Sequence, residues 1–155
     1  MAIPFISHAQ KIAFIELDSL LSLMPEMIQA KIVYGGYSKQ LQGALADMQK
    51  ELNDKNVVYQ NNEKTYTDFI KQSKQKELQD LNQRIQDFQQ KAQLDLQKKN
   101  ADLGLPINEK AKKAIAKVAK AKGYKIVLDK RPAGILYSEQ TDDIFSLVKT
   151  ELGIK

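Results

Sequence analysis

The chain has no cysteine, no tryptophan and a single histidine, His8, among its 155 residues. Without thiols there is no disulfide framework and no cysteine-based zinc site, an absence that fits any compartment. A nucleophilic triad needs a base, and the one imidazole sits near the N-terminus, in a segment open to removal by processing. No Gly-rich phosphate loop of the Walker or dinucleotide type is present. Asp142-Asp143 is the one carboxylate pair worth weighing as a metal site, and helix capping explains it more simply. No stretch reaches the apolar length needed to span a bilayer. These gaps argue against an enzyme and give no reason to expect a cofactor or a metal.

Proline is scarce as well. None occurs from Glu26 to Asn100, a long run of helix-forming residues. Leu41, Leu45, Met48 and Leu52 follow one another at steps of four, three and four, with Tyr59 a heptad beyond Leu52. Leu78, Leu81, Ile85, Phe88 and Ala92 repeat that seam on the return. The spacing predicts an antiparallel coiled-coil hairpin, its tip near residues 63–67 and Thr67-Asp68 capping the second helix. At ~1.5 Å per residue such a hairpin reaches roughly 60 Å, too far to wrap a core of its own. Gly35-Gly36 and Gly43 each cost up to about 1 kcal/mol in a helix, which makes Gly35 and Gly36 a candidate hinge.

Short strand-like segments bracket the run. Lys11–Leu17 is branched, aromatic and apolar on both faces, hence a buried strand, and Asp18 is placed to cap a short helix Ser19–Met24. After the hairpin, Gly104-Leu105-Pro106 should interrupt or kink the helix. Ile107–Lys122 then resumes with Ala111, Ala114, Ile115 and Val118 as its apolar face, stopped by Gly123. Tyr124–Leu128 and Gly134–Tyr137 read as a β-hairpin, and a helix Asp142–Leu152, capped by Thr141, closes the chain. The class is α+β and mostly helical, with a small β body at residues 10–25 and 107–155 and the hairpin arm at 26–106. The end segments are too few for a comfortable independent core, which favours an oligomer sharing one core. Ile12, Phe14, Ile15, Ile126, Leu128 and Leu136 are the candidate oligomerisation residues. Residues 1–9 read as a signal-peptide remnant, with Ser7-His8-Ala9 as a small-x-small cleavage site, or as a frayed tail or the start of a strand.

The net charge of +5 is uneven. Six lysines against Glu109 give residues 107–123 that entire balance, and Lys110, Lys113, Lys117 and Lys120 line one stripe. Such a stripe attracts nucleic acid, an anionic membrane or an acidic polypeptide, or is a solvated face. Residues 67–100 carry seven basic and five acidic residues with nine glutamines. Tyr34, Tyr37, Tyr59, Tyr66 and Phe69 supply aromatic contacts along the arm and are the candidate binding residues, although some belong to the seam and Phe69 is expected to pack at the tip.

The strings Lys11-Ile12-Ala13-Phe14-Ile15, Leu20–Glu26 and Tyr124–Lys130, together with Gly134–Tyr137 and Thr141–Ile144, resemble the Skp/OmpH family of periplasmic chaperones. Leu-Ser-x-Met-Pro-Glu looks most like versions from Bacteroidetes-type bacteria. The resemblance runs over nearly the whole chain after Gln10; its end motifs are moderately specific, and the arms match only as coiled coil. It implies a homotrimer with a β-barrel shared by three chains and three tentacle-like hairpins around a cavity. It implies a cleaved signal peptide, a periplasmic location and an ATP-independent holdase for unfolded outer-membrane proteins, with transient membrane contact in delivery. Cavities in that family are strongly basic and this arm only mildly so, which shifts weight toward hydrophobic and aromatic contact. Two rivals stand beside it: a coiled-coil scaffold docking one folded partner, and a nucleic-acid binder using the lysine stripe. The missing aromatic platform beside that stripe makes the latter the weakest.

Overall fold

A computed structural model of the chain describes residues 11–131, 136–137 and 139–154. In chain order the elements are β1 (Ile12–Ile15), α1 (Leu17–Leu23), α2 (Pro25–Asn62) and α3 (Asp68–Lys122), then β2 (Ile126–Asp129) and α4 (Phe145–Glu151). Short 3-10 turns at Glu63–Thr65 and Gln140–Asp142 precede α3 and α4. The chain forms two compact units, Met1–Ala30 with Leu103–Lys155, and Lys31–Asp102.

In the first unit β1 and β2 pair in parallel, with Ile12 opposite Ile126 and Phe14 opposite Leu128. Parallel partners need a long crossover, and here the two long helices supply it. The expected β-hairpin of β2 with Gly134–Tyr137 falls largely outside the described residues. Gly134 and Ile135 lie outside the described residues, while Leu136 and Tyr137 are highly exposed and in no strand. The backbone instead continues the parallel ladder, the Lys130 amide donating to the Ile15 carbonyl at 2.9 Å. On the other side of β1, Asp143 forms an isolated bridge to Phe14, and the Ile144 amide donates to the Phe14 carbonyl at 3.0 Å.

The inner face of the sheet, with Ala13 and Ile15, packs on Ala111, Ala114, Val118 and Ala119 of α3, and Leu20, Met24, Ile144 and Val148 close the core. Alanine supplies three of those four α3 residues. This packing also carries α3 through Pro106 without the interruption expected there. Proline removes one intrahelical donor, but Ile107 and Ala111 are buried immediately beyond it and anchor the helix on the core. The Asn108 side-chain amide adds a bond to the Gly104 carbonyl at 3.0 Å.

Helix ends follow local chemistry. Gly123 has φ +76°, the Tyr124 amide reaches the Ala119 carbonyl and the Gly123 amide reaches that of Lys120. This is a Schellman stop for α3. Gly153, at φ +69°, repeats it at the end of α4 with the Ile154 amide bonded to Lys149. Two expected caps move. Helix α1 starts two residues earlier than expected, from Glu16, which leaves Asp18 inside the first turn. Helix α4 begins at Phe145, its amide donating to Asp143 Oδ1 at 2.9 Å, whereas the Thr141 side chain expected as the cap lies outside the described residues.

In the second unit α2 and α3 are antiparallel, since their cross-contacts run in opposite chain directions. Lys55 pairs with Glu77, Gln75 donates to Tyr59 Oη at 2.8 Å, and Lys99 sits over the Tyr37 ring at 5.7 Å. Helix α2 is unbroken through Gly35, Gly36 and Gly43. Tyr59, Leu81 and Ile85 are buried in the seam; Leu41, Leu45, Met48, Leu52, Leu78, Phe88 and Ala92 are half-buried. A helix with one partner keeps a flank of each seam residue in water, which is why the expected seam is present but mostly incomplete. The Thr67 hydroxyl accepts from the Ile70 amide at 3.4 Å, the cap expected there.

Candidate functional site

The first candidate surface is the outer face of the sheet. Strand alternation and the register place Ile12, Phe14, Ile126 and Leu128 on one side, opposite the core. Ile12 and Phe14 are half-buried, while Ile126 and Leu128 are 41% and 37% exposed. Among the described residues the outer edge of β2 has no strand partner. Of the six candidate oligomerisation residues the structure thus brings four together. Ile15 points the other way and is buried in the core; Leu136 is fully exposed and away from the sheet ladder.

Charged pairs fix the end of this sheet. Arg131 Nε donates to Glu16 Oε1 at 2.8 Å and its Nη2 to Ser19 Oγ at 3.0 Å. The Arg131 bond, then that from Ser19, hold the Glu16 carboxyl below its usual range. Lys130 pairs with Asp143 at 2.8 Å, so the carboxylate weighed as a metal ligand serves as cap and ion-pair partner. The lysine stripe is partly spent: Lys110 pairs with Glu26, and Lys117 with Glu151 at 2.6 Å. Two of the four cations needed by a nucleic-acid reading are engaged within the chain.

The second surface is the hairpin unit. The five aromatic candidates have different surroundings. Tyr59 is buried, donates to Glu63 at 3.3 Å, accepts from Gln75, and stacks obliquely on Tyr66 with centroids 6.3 Å apart. It is a fastener for the hairpin end. Tyr37 lies under Lys99. Phe69 does not pack at the tip as expected: it is 81% exposed, because it sits in the first turn of α3 with no helix opposite. Ile32, Val58 and Leu94 are also exposed, so this unit carries single apolar side chains scattered over a polar surface. Glu77 lies between Lys55 and Lys74, the latter at 3.0 Å; its bonds to Lys55 and then Lys74 bring its carboxyl down to about 2.

Tyr34 joins a groove of about 400 Å³ between α2 and α3. Leu41, Leu45, Phe88, Ala92 and Leu96 floor it with Tyr34, and Gln42, Gln89, Gln93, Gln97 and Asn100 rim it beside Ser38. Seam periodicity alone does not reveal this groove, although Gln89, Gln93 and Gln97 recur at steps of four and so mark one helical stripe.

Among the described residues no group of side chains could hold a metal, and no helix is long and apolar enough to cross a membrane. Among the described residues, a small parallel sheet with a partly exposed apolar outer face and an antiparallel helical pair are the surfaces this fold offers. The chain belongs to the OmpH-like outer membrane protein family, whose model matches residues 11–152. Its fold is similar to that of a candidate outer membrane chaperone (OmpH-like) from Caulobacter crescentus CB15. The TM-score is 0.80 at 12% identity, over 98% of this chain and 89% of the other. No curated protein matches the chain.

Proposed function

We propose that the chain is an ATP-independent periplasmic holdase that encloses unfolded outer-membrane proteins between helical arms and prevents their aggregation. Membership of the OmpH-like family over residues 11–152 carries the reading. A holdase binds many sequences without locking any one, so diffuse weak contacts serve better than strong anchors. The scattered Ile32, Val58, Phe69 and Leu94 suit that task, and Tyr34, Tyr37 and Tyr66 add partly exposed aromatic surface. Tyr59 contributes by holding the hairpin end.

Enclosure needs several arms. The apolar face of Ile12, Phe14, Ile126 and Leu128 beside the open edge of β2 supports a homotrimer in which strands from three chains close a shared barrel. Closure would cover that edge and remove an aggregation hazard. Residues 26–106 act as the arm, residues 10–25 and 107–155 as the trimerisation body, and Gly35-Gly36 as the hinge that adapts the cavity to client size. Delivery involves transient contact with the membrane surface, after export with a cleaved signal peptide.

The test is dilution of a urea-unfolded outer-membrane β-barrel protein into buffer with and without the chain, its mass in solution measured first. A trimer that suppresses light scattering at stoichiometric amounts and without ATP is the expected result. A monomer, or a trimer giving no protection, would overturn the reading. A fixed stoichiometry with one folded partner and no protection of unfolded barrels would favour a scaffold.

A further inference from the structure

The groove between α2 and α3 has a chemistry that diffuse capture does not call for. None of its lining residues is charged, in a chain of which 28% of residues are Asp, Glu, Lys or Arg. The next hollow toward the hairpin end, lined by Gln49, Leu52 and Leu78 among others, is also uncharged but more polar. The one beyond it has Asp54, Lys55, Lys74 and Glu77 in its wall, so neutrality is not general to this unit. The groove is open because Ala92 stands in the seam series Leu78, Leu81, Ile85, Phe88, where its single methyl leaves the floor unfilled.

We infer that this groove seats an extended, uncharged segment of an unfolded polypeptide, with peptide groups on its glutamine rim and an apolar side chain on its floor. The identity of the ligand rests on the holdase reading. Primary amides donate and accept together, which matches the alternating N–H and C=O of an exposed backbone whatever its sequence. The floor of Leu41, Leu45 and Phe88 rewards burial of one aliphatic or aromatic side chain. A charged side chain entering the same groove would lose water and find no counter-ion, so the groove selects against it. The segments of an unfolded chain that aggregate fastest are low in charge and high in apolar content, and these are the ones this groove accepts. With no charge on either side, binding here is nearly independent of salt, unlike capture by lysines.

Three variants of the full chain test this: Ala92→Leu, which fills the floor, Gln93→Glu, which puts a charge on the rim, and Ser38→Cys carrying a benzophenone. Circular dichroism of each establishes helicity, and Gln93→Glu keeps the test decisive if Ala92→Leu disturbs the seam. The first probe is an uncharged ten-residue Ser/Leu peptide with a neutral nitrobenzoxadiazole dye; the second is a urea-unfolded porin. Ala92→Leu should weaken peptide binding about tenfold, the scale of one apolar side chain kept out of its site. Gln93→Glu should weaken it several-fold, since it removes an amide donor from the rim. Binding to the unsubstituted chain should hold steady from low to high salt, and position 38 should cross-link to the porin. If the chain protects porin while both variants bind peptide normally, the groove inference falls and the holdase reading stands. If peptide binds and the variants weaken it but porin aggregates, the holdase reading falls and the groove remains a peptide site. Cross-links from position 38 to another copy of this chain would overturn the inference.

Discussion

Gly123 shows what one residue decides. Its φ of +76° ends α3 and turns the backbone into β2, and a Cβ there would meet open space. The cost of replacing it is therefore conformational: Gly123→Ala should destabilise the fold by about 1 kcal/mol, read as a lower urea midpoint at unchanged slope. Glu77 carries a charge effect of known sign. Its carboxyl lies at about 2 in the fold against an ordinary 4.5, so the contribution is fully present above 4.5 and is lost as pH falls toward 2. Urea midpoints measured from pH 6 to pH 2 should fall more steeply for the native chain than for Glu77→Gln. The difference should shrink in high salt, because the pair is exposed and screened. A slope unaffected by the substitution would show that the Lys55–Glu77–Lys74 cluster does not stabilise the hairpin. Gly123 was legible in the sequence because it follows an amphipathic run. The roles of Glu77 and Tyr59 were not, since Lys55 and Gln75 lie on the facing helices, Gln75 being sixteen residues from Tyr59.

At the scale of elements, helix periodicity was readable and strand pairing was not. The two heptad series and the proline-free stretch specify α2 and the start of α3 to within a few residues, but not the continuation of α3 from Pro106 to Lys122. The partner of β2 is a tertiary matter: a parallel ladder with a strand more than a hundred residues away leaves no local mark, whereas a Gly-containing turn suggests a hairpin nearby. The helix is not interrupted at Pro106 for the same reason, because the local cost is outweighed by burial of Ile107 and Ala111 just beyond it. The glycines of α2 give a cleaner prediction. A methyl added at Gly35 or Gly36 would meet open space, so changing both to alanine should add up to about 1 kcal/mol each of helix stability. Amide exchange over residues 31–45 should slow, and the range of client sizes protected should narrow. Unchanged exchange and client range would remove Gly35-Gly36 as the hinge.

For the whole molecule, the apolar outer face of the sheet is the surface on which the proposed trimer closes. Leu128→Asp places a carboxylate on the face shared with Ile12, Phe14 and Ile126, outside the core of the chain itself. It should convert a trimer to monomer in light-scattering mass measurements while helicity stays near native, and protection of unfolded barrels should be lost with it. A variant that stays trimeric would place the interface elsewhere. The sequence by itself determined the long helices, the seams and the stop at Gly123, because each depends on residue type and short spacing. Only the tertiary structure decided that Ile15 faces inward while Ile12 and Phe14 face outward, that Phe69 stands free, and that an uncharged groove opens beside Ala92. Those depend on which surfaces meet, and contacts between residues distant in the chain are set by packing that no local pattern encodes.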